Sequence, residues 1–197
     1  RRRDILTLVA LDREIGKILD KLKEIGQLDN TVIIFISDNG LHWGEHRMDS
    51  KSTFYEESSH VPFGMRYPAL VPTPYVEDRI VGNIDIAPMM YKLAGINIPF
   101  RVDGQSLTDL FKPNKKWRDH ILLEAWPPRG AWAAIHTDRY VYGETEDDLS
   151  EFYDLKVDPY QLDNQINNPA YQDIIAQMKE QLKKDQKPKF FFSRLFQ

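Results

Sequence analysis

TVIIFISDNG, residues 31 to 40, is apolar and rich in β-branched residues almost throughout, then stops on an acid, an amide and a glycine. A continuous apolar run of this length reads as a strand covered on both faces, as in parallel sheets. Upstream, Ile5, Leu8, Leu11, Ile15, Ile18, Leu22 and Ile25 step by three and four. Asp12, Lys17, Asp20, Lys21 and Glu24 lie mostly on the other side, which predicts an amphipathic helix over Asp4 to Ile25. Gly26 can close that helix in the left-handed conformation, and Gln27 to Asn30 makes a short link. Helix, tight link and apolar strand are half of a β-α-β unit, so the expected fold is α/β with a mostly parallel sheet covered by helices. Asp38, Asn39 and Gly40 then fall at the strand's carboxyl end, where open α/β sheets place their ligands.

Further along, HVPFGMRYP reads as a short strand or loop, and NIDIAPMMYKLAGINIP returns to helical spacing. Asp85 is a good N-cap there, Pro88 is tolerated in the first turn, and Gly95 with Pro99 makes a stop. VDGQSLTDLF follows as a turn and short helix. From about His120 the pattern changes to short β-like runs, HILLEAW, AWAAIHT and RYVYGE, with Thr137-Asp138 as a hairpin link. EFYDLKVDPYQLDNQINNP is turn-rich, and Tyr171, Ile174, Ile175, Met178 and Leu182 form a helical stripe suited to packing on a small antiparallel sheet. A division near residue 115 is expected, with 1–115 in the larger α/β part and 116–197 as a small α+β subdomain.

Composition excludes several classes. The chain has 197 residues, a formal net charge of −4 and no cysteine, so disulfides, thiolate metal sites and a cysteine nucleophile are absent from it. A slightly acidic balance gives no footprint for nucleic acid. No stretch approaches the roughly 18 apolar residues of a membrane span. The opening Arg1-Arg2-Arg3 runs almost directly into a helix without a signal-peptide pattern, so the start is expected to be a cut from something longer. The tail KPKFFFSRLFQ, aromatic with interleaved cations, is expected to bury against the rest of a larger protein.

The chemistry lies in FISDNGLHWGEHRMDSK, residues 35 to 51. A carboxylate and an amide carbonyl are hard oxygen donors that suit Ca²⁺ or Mg²⁺. Asp38 and Asn39 can reach one ion only if the chain is already turning, and Gly40 permits that turn. Lys51 could then offer a point charge to an anion held against the metal. By itself the Asp-Asn-Gly triplet is also an ordinary turn sequence. His42 and His46 stand four apart, but the Gly44 between them and the preceding strand argue against a helical zinc pair.

LDNTVIIFISDNG, GEHRMDSKSTFYEESSHVPF, IVGNIDIAPMMYKLAGI, DGQSL and EFYDLKVDPYQLDN, in this order, resemble the sulfatase family of the alkaline-phosphatase-like superfamily, and the likeness covers essentially the whole chain. The resemblance implies that Asp38 and Asn39 are Ca²⁺ ligands, with Mg²⁺ second. It implies too that Lys51 contacts the sulfate and the bridging ester oxygen, and that His46 lines the pocket as donor or acid. Trp43, His60 and Arg129 are further candidates for the substrate side, Arg129 lying in EAWPPRGAW with two tryptophans. Relatives use a formylglycine hydrate, made from a Cys/Ser-x-Pro-x-Arg motif, to attack the sulfur. That motif and the N-terminal Asp pair of the metal site are missing here, so the chain resembles the C-terminal portion of a sulfatase. Alone it is expected to be inactive, and to need the N-terminal half or a second copy to cover its central strand.

Two other readings remain. One is a non-catalytic, truncated binding module; the other is a phosphoryl or phosphonate ester hydrolase on the same scaffold. Asp-Asn rather than Asp-His favours calcium and sulfate over a transition metal. Either a sugar sulfate or an aryl sulfate would suit the aromatics. The family favours a periplasmic or secreted setting, with a cytoplasmic one also open.

Overall fold

A computed structural model describes residues 2–125 and 131–186. The chain groups into two compact units, within Arg1–Ile36 plus Phe63–Val76 and within Ser37–Pro62 plus Glu77–Gln197.

In the first unit, helix α1 spans Arg2–Glu24 and ends at Gly26, whose φ of 67° is the left-handed closure expected of that glycine. A short 3-10 turn at Leu28–Asn30 leads into strand β1, Ile33–Ile36. The one strand paired with β1 among the described residues is β2, Phe63–Arg66, and the pairing is antiparallel, Ile33 opposite Arg66 and Ile36 opposite Phe63. The parallel neighbours expected of this sheet are thus not among the described strands. With one partner, β1 is not covered on both faces either: Phe35 is 50% exposed, and so are Ile5, Leu8 and Ile18 on α1 at about 60%. Arg66 ties the strand pair back to the link before β1, donating to Leu28 O at 2.8 Å and pairing with Asp29.

The second unit carries the short helix α2 (Glu56–Ser59), helix α3 (Ile86–Leu93), and the strands β3 (His120–Ala125), β4 (Trp132–Thr137), β5 (Tyr140–Thr145) and β6 (Glu151–Asp154). These four form an antiparallel meander in sequence order, with the β4–β5 hairpin turning at 138–139. Helix α4, Gln172–Asp185, lays Ile175, Met178 and Leu182 on one face of that sheet, against Ala133, Ile135, Tyr142 and Phe152. The expected small antiparallel sheet with its C-terminal helix is therefore present, enlarged by β6 from the stretch read as turns. The opposite face buries Ala134, Val141 and Tyr153 against Phe54. Gly143 is what lets Phe54 lie so close, since a Cβ there would stand 2.5 Å from Phe54 Cζ. This contact seats the 37–62 loop region on the sheet, and the loop carries the candidate chemistry.

Asp85 occupies the N-cap position of α3, but its carboxylate does not cap that helix. It is fully buried, accepts from Gly82 N and Gln105 N at 2.9 and 2.7 Å, and takes both guanidinium nitrogens of Arg118 at 2.8 and 2.5 Å. Gly104 must be glycine for this, as a Cβ would lie 1.9 Å from Ile84 O. Asp154 plays the matching part at the end of β6: it is 2% exposed, forked to Arg139, and it accepts from Tyr171 Oη at 3.2 Å.

Candidate active site

The backbone after β1 turns at once. Gly40 N donates to Ser58 O at 2.9 Å, and a Cβ on Gly40 would meet Glu57 O at 1.9 Å, so the turn and the start of α2 touch backbone to backbone. Ser37 Oγ donates to Asn39 O at 2.8 Å and tightens the bend. As a result Asp38 and Asn39, neighbours that would face opposite ways on a regular strand, aim at one point. Lys51 Nζ stands there, 2.7 Å from Asn39 Oδ1 and 3.8 Å from Asp38 Oδ2. Lys51 is delivered by a folded loop, in which His42 N donates to Ser50 O and Gly44 N to Met48 O, each at 2.9 Å. Ser58 Oγ holds the next segment by accepting from Ser52 N and Thr53 N.

A positive point charge already stands between two hard oxygen donors, so the donor chemistry fits a divalent cation. The set is incomplete by itself, since Ca²⁺ takes about six to eight oxygens. Among the described residues no group of three or more His, Cys, Asp or Glu side chains could hold a metal. Asp38 is largely exposed, its side chain at 82%.

Beside this turn lie two histidines. His42 is buried, with Nε2 at 2.8 Å from Thr53 Oγ1, and burial pushes its pKa below the ordinary value. His46 lies flat on Tyr55, ring centroids 3.9 Å apart and planes within 4°, with Nε2 facing Glu57 Oε2 at 3.5 Å. Tyr55 is fixed in turn by Glu151 of β6, to which its hydroxyl donates at 2.8 Å. Trp43 is 46% exposed on the same loop.

His60 is exposed and bonded to Glu56 Oε2 at 2.8 Å. Glu56 also receives His136 of β4 on Oε1, and its backbone N–H donates to Gln161 Oε1 at 2.8 Å. Burial alone would raise the Glu56 pKa, but the hydrogen bonds from His136 and His60 outweigh it and hold the carboxyl at about 2. The Glu56 carboxylate in turn lifts His60 above its ordinary value. Arg129 lies outside the described residues.

The structure thus brings Asp38, Asn39 and Lys51 together, packs His46 on Tyr55 facing Glu57, and turns His60 toward Glu56. Tyr55, Glu57 and Glu151 were not singled out from the sequence. Their signal is present in YEE, 55 to 57, which directly follows the lysine loop, but which of the three residues reaches the site cannot be read from spacing in irregular backbone.

An α/β chain whose strand ends in Asp-Asn-Gly against a loop lysine, followed by a small sheet with its helix, is built like the C-terminal part of a sulfatase. A family model described as N-sulphoglucosamine sulphohydrolase, C-terminal, matches residues 44–188, and one described as a protein of unknown function matches 2–75. N-acetylglucosamine-6-O-sulfatase of Bacteroides thetaiotaomicron is 32% identical over 197 residues, covering 94% of this chain and 35% of that protein. Among solved structures, a protein in complex with its substrate D-glucosamine-2-N,6-O-disulfate superposes with a TM-score of 0.84 at 28% identity, covering 91% of this chain and 38% of that one. Phosphonate monoester hydrolase of Agrobacterium radiobacter superposes at 0.77, also at 28% identity, over 88% of this chain and 38% of that one. The chain belongs to the sulfatase family and spans about a third of the curated relative it matches.

Proposed function

We propose that this chain is the C-terminal segment of a sulfuric ester hydrolase acting on sulfated amino sugars. The observation that carries the reading is the convergence of Asp38 and Asn39 on Lys51 Nζ. Asp38 and Asn39 would supply two oxygen ligands to a Ca²⁺ ion completed by residues of the N-terminal part, which also carries the formylglycine nucleophile and covers the exposed apolar faces of α1 and β1. The bound ion supplies Lewis-acid polarisation of the sulfate oxygens. Lys51, released from Asn39, places its ammonium on the ester's bridging oxygen and meets the charge that grows there as the bond to sulfur breaks. Trp43, half exposed on this loop, would lie against the sugar, and Arg129 and His60 are candidates for its rim. The amino-sugar preference is supported by the N-acetylglucosamine-6-O-sulfatase and by the structure bound to a disulfated glucosamine.

The test uses the full-length parent protein with glucosamine 6-sulfate, 4-nitrophenyl sulfate and a phenyl phosphonate monoester. Hydrolysis of the sulfates, with Lys51→Ala lowering kcat on the order of 10²–10³-fold, is the expected result. Preference for the phosphonate would favour the reading suggested by the likeness to the phosphonate hydrolase. Binding of the sugar sulfate without turnover would favour a non-catalytic module. The 197-residue chain alone is expected to show no turnover.

A further inference from the structure

Resting on the sulfatase reading for its ligand class, we infer that the cavity between the end of α3 and the turn at 112–115 binds an acidic unit of a sulfated or carboxylated saccharide chain. The cavity measures about 610 Å³, within the range of ordinary small-molecule sites. All its lining residues fall between Pro88 and Trp117, inside the second compact unit. It therefore shares no lining residue with the turn that carries Asp38, Asn39 and Lys51.

Charge gives the cavity its preference. Lys92, Lys115 and Lys116 line it, and Asp109 is the one carboxylate among its lining residues. Asp109 is already held by two ammonium groups, Lys92 Nζ at 2.5 Å and Lys112 Nζ at 3.1 Å. Burial alone would raise its pKa, but the hydrogen bonds from Lys92 and Lys112 outweigh that and keep it below the ordinary value. Lys115 and Lys116 form no ion pair with a described residue. The cavity thus carries uncompensated positive charge on a chain whose formal net charge is −4, and an anion is the ligand it draws.

The walls are in place before any ligand arrives. Asn114, with φ of 59°, turns the chain after Lys112, and Lys115 N reaches back to Lys112 O at 3.5 Å. Lys115, Lys116 and Trp117 follow that turn into the wall, where Trp117, 9% exposed, donates Nε1–H to Ile80 O at 2.7 Å. At the other end of the lining sequence Gly95, with φ of 70°, closes α3, and Ile96 N donates to Tyr91 O at 2.9 Å. A site fixed in this way spends little binding energy on its own ordering. Apolar Ile96, Ile98 and Val102 alternate in the lining with polar Asn97, Gln105 and Ser106. A sugar ring offers the matching mixture, carbon faces and hydroxyl edges, whereas a bare inorganic anion would use the lysines and leave the apolar lining idle.

The test uses the full-length parent protein, a heparin hexasaccharide, inorganic sulfate and 4-nitrophenyl sulfate. Calorimetric titrations are made on the Lys51→Ala protein, so that the oligosaccharide is not consumed. Adding Lys115→Ala/Lys116→Ala is expected to weaken hexasaccharide binding about tenfold at low salt, the effect of two exposed charge contacts. Asp109→Asn, which removes the cavity's one carboxylate, should instead tighten it about threefold. With Lys51 restored, the double lysine variant should keep the wild-type kcat and KM on 4-nitrophenyl sulfate. Unchanged hexasaccharide binding in the double variant would overturn the inference, as would inorganic sulfate competing mole for mole with the hexasaccharide. A wild-type enzyme that leaves 4-nitrophenyl sulfate and glucosamine 6-sulfate intact would overturn the sulfatase reading, and the titrations would still decide the cavity.

Discussion

Gly40→Ala is a direct probe of how the turn after β1 builds the site. Gly40 does not have a positive φ, so alanine fits its backbone and the question is only one of space. The added Cβ would stand 1.9 Å from Glu57 O, 2.8 Å from Glu57 C and 3.2 Å from Ser58 Cα. An ordinary carbon–oxygen contact needs about 3.3 Å, so the two backbones must part by roughly 1.4 Å. Neither atom is the end of a flexible side chain, and separation breaks the 2.9 Å hydrogen bond from Gly40 N to Ser58 O. Overpacking of this kind costs about 1–3 kcal/mol in stability. The larger effect is positional. Asn39 is the adjoining residue, and a displacement of about 1 Å at a reacting centre costs on the order of 100-fold in rate. In the full-length protein, Gly40→Ala should therefore lower kcat on 4-nitrophenyl sulfate by about two orders of magnitude, while circular dichroism still reports a folded protein. A variant with activity within about threefold of wild type would refute the reasoning, because the contact between the turn and α2 could then not be what aims Asp38 and Asn39.

Two further perturbations test the scaffold. Asp85→Ala leaves the Arg118 guanidinium, which is 10% exposed, without its counter-charge and orphans two backbone amides, so the urea midpoint should fall by the equivalent of about 3–5 kcal/mol; an unchanged midpoint would show that the fork is not structural. Glu56 gives a pH prediction: its folded pKa of about 2 lies below the ordinary 4.5, so its contribution, on the order of 3 kcal/mol, is present above pH 4.5 and lost as pH falls toward 2. Glu56→Gln should flatten that acid limb of the melting-temperature profile, and a variant that keeps the wild-type slope would show that the His136 and His60 bonds do not act on folding. His60, whose pKa is raised, has the opposite sign: its contribution is complete below its ordinary 6.5 and fades as pH rises through the raised value.

Periodicity made the helices and most strands readable, because apolar spacing records which face is buried whatever covers it. The step of three and four in α1 and the stripe Ile175, Met178 and Leu182 in α4 needed no partner to be seen. The direction of β1's neighbour could not be read in this way, since an apolar strand buried by parallel or antiparallel partners has the same composition. β6 was hidden for a different reason: EFYD is short and opens a run of turn residues, and it is fixed by Asn164 Oδ1 accepting from Phe152 N, a bond over twelve positions that no local window contains.

The residues of EFYDLKVDPYQLDN, 151 to 164, show what such a motif encodes when its chemistry is elsewhere. Glu151 reaches Tyr55 beneath the His46 ring, Asp154 holds Arg139 and Tyr171, Gln161 takes the Glu56 amide, and Asn164 secures β6. None of these needs to touch a sulfate ester. Two of them, Glu151 and Gln161, hold consecutive residues of the segment that follows Lys51, the Tyr55 hydroxyl and the Glu56 amide, across 96 and 105 positions of sequence. The small sheet is therefore the wall on which the lysine loop is hung. Truncation of the chain after β5 should then release Tyr55 and Glu56 together, and with them the plane of the His46 ring, although the Asp-Asn-Gly turn itself would keep every one of its own residues.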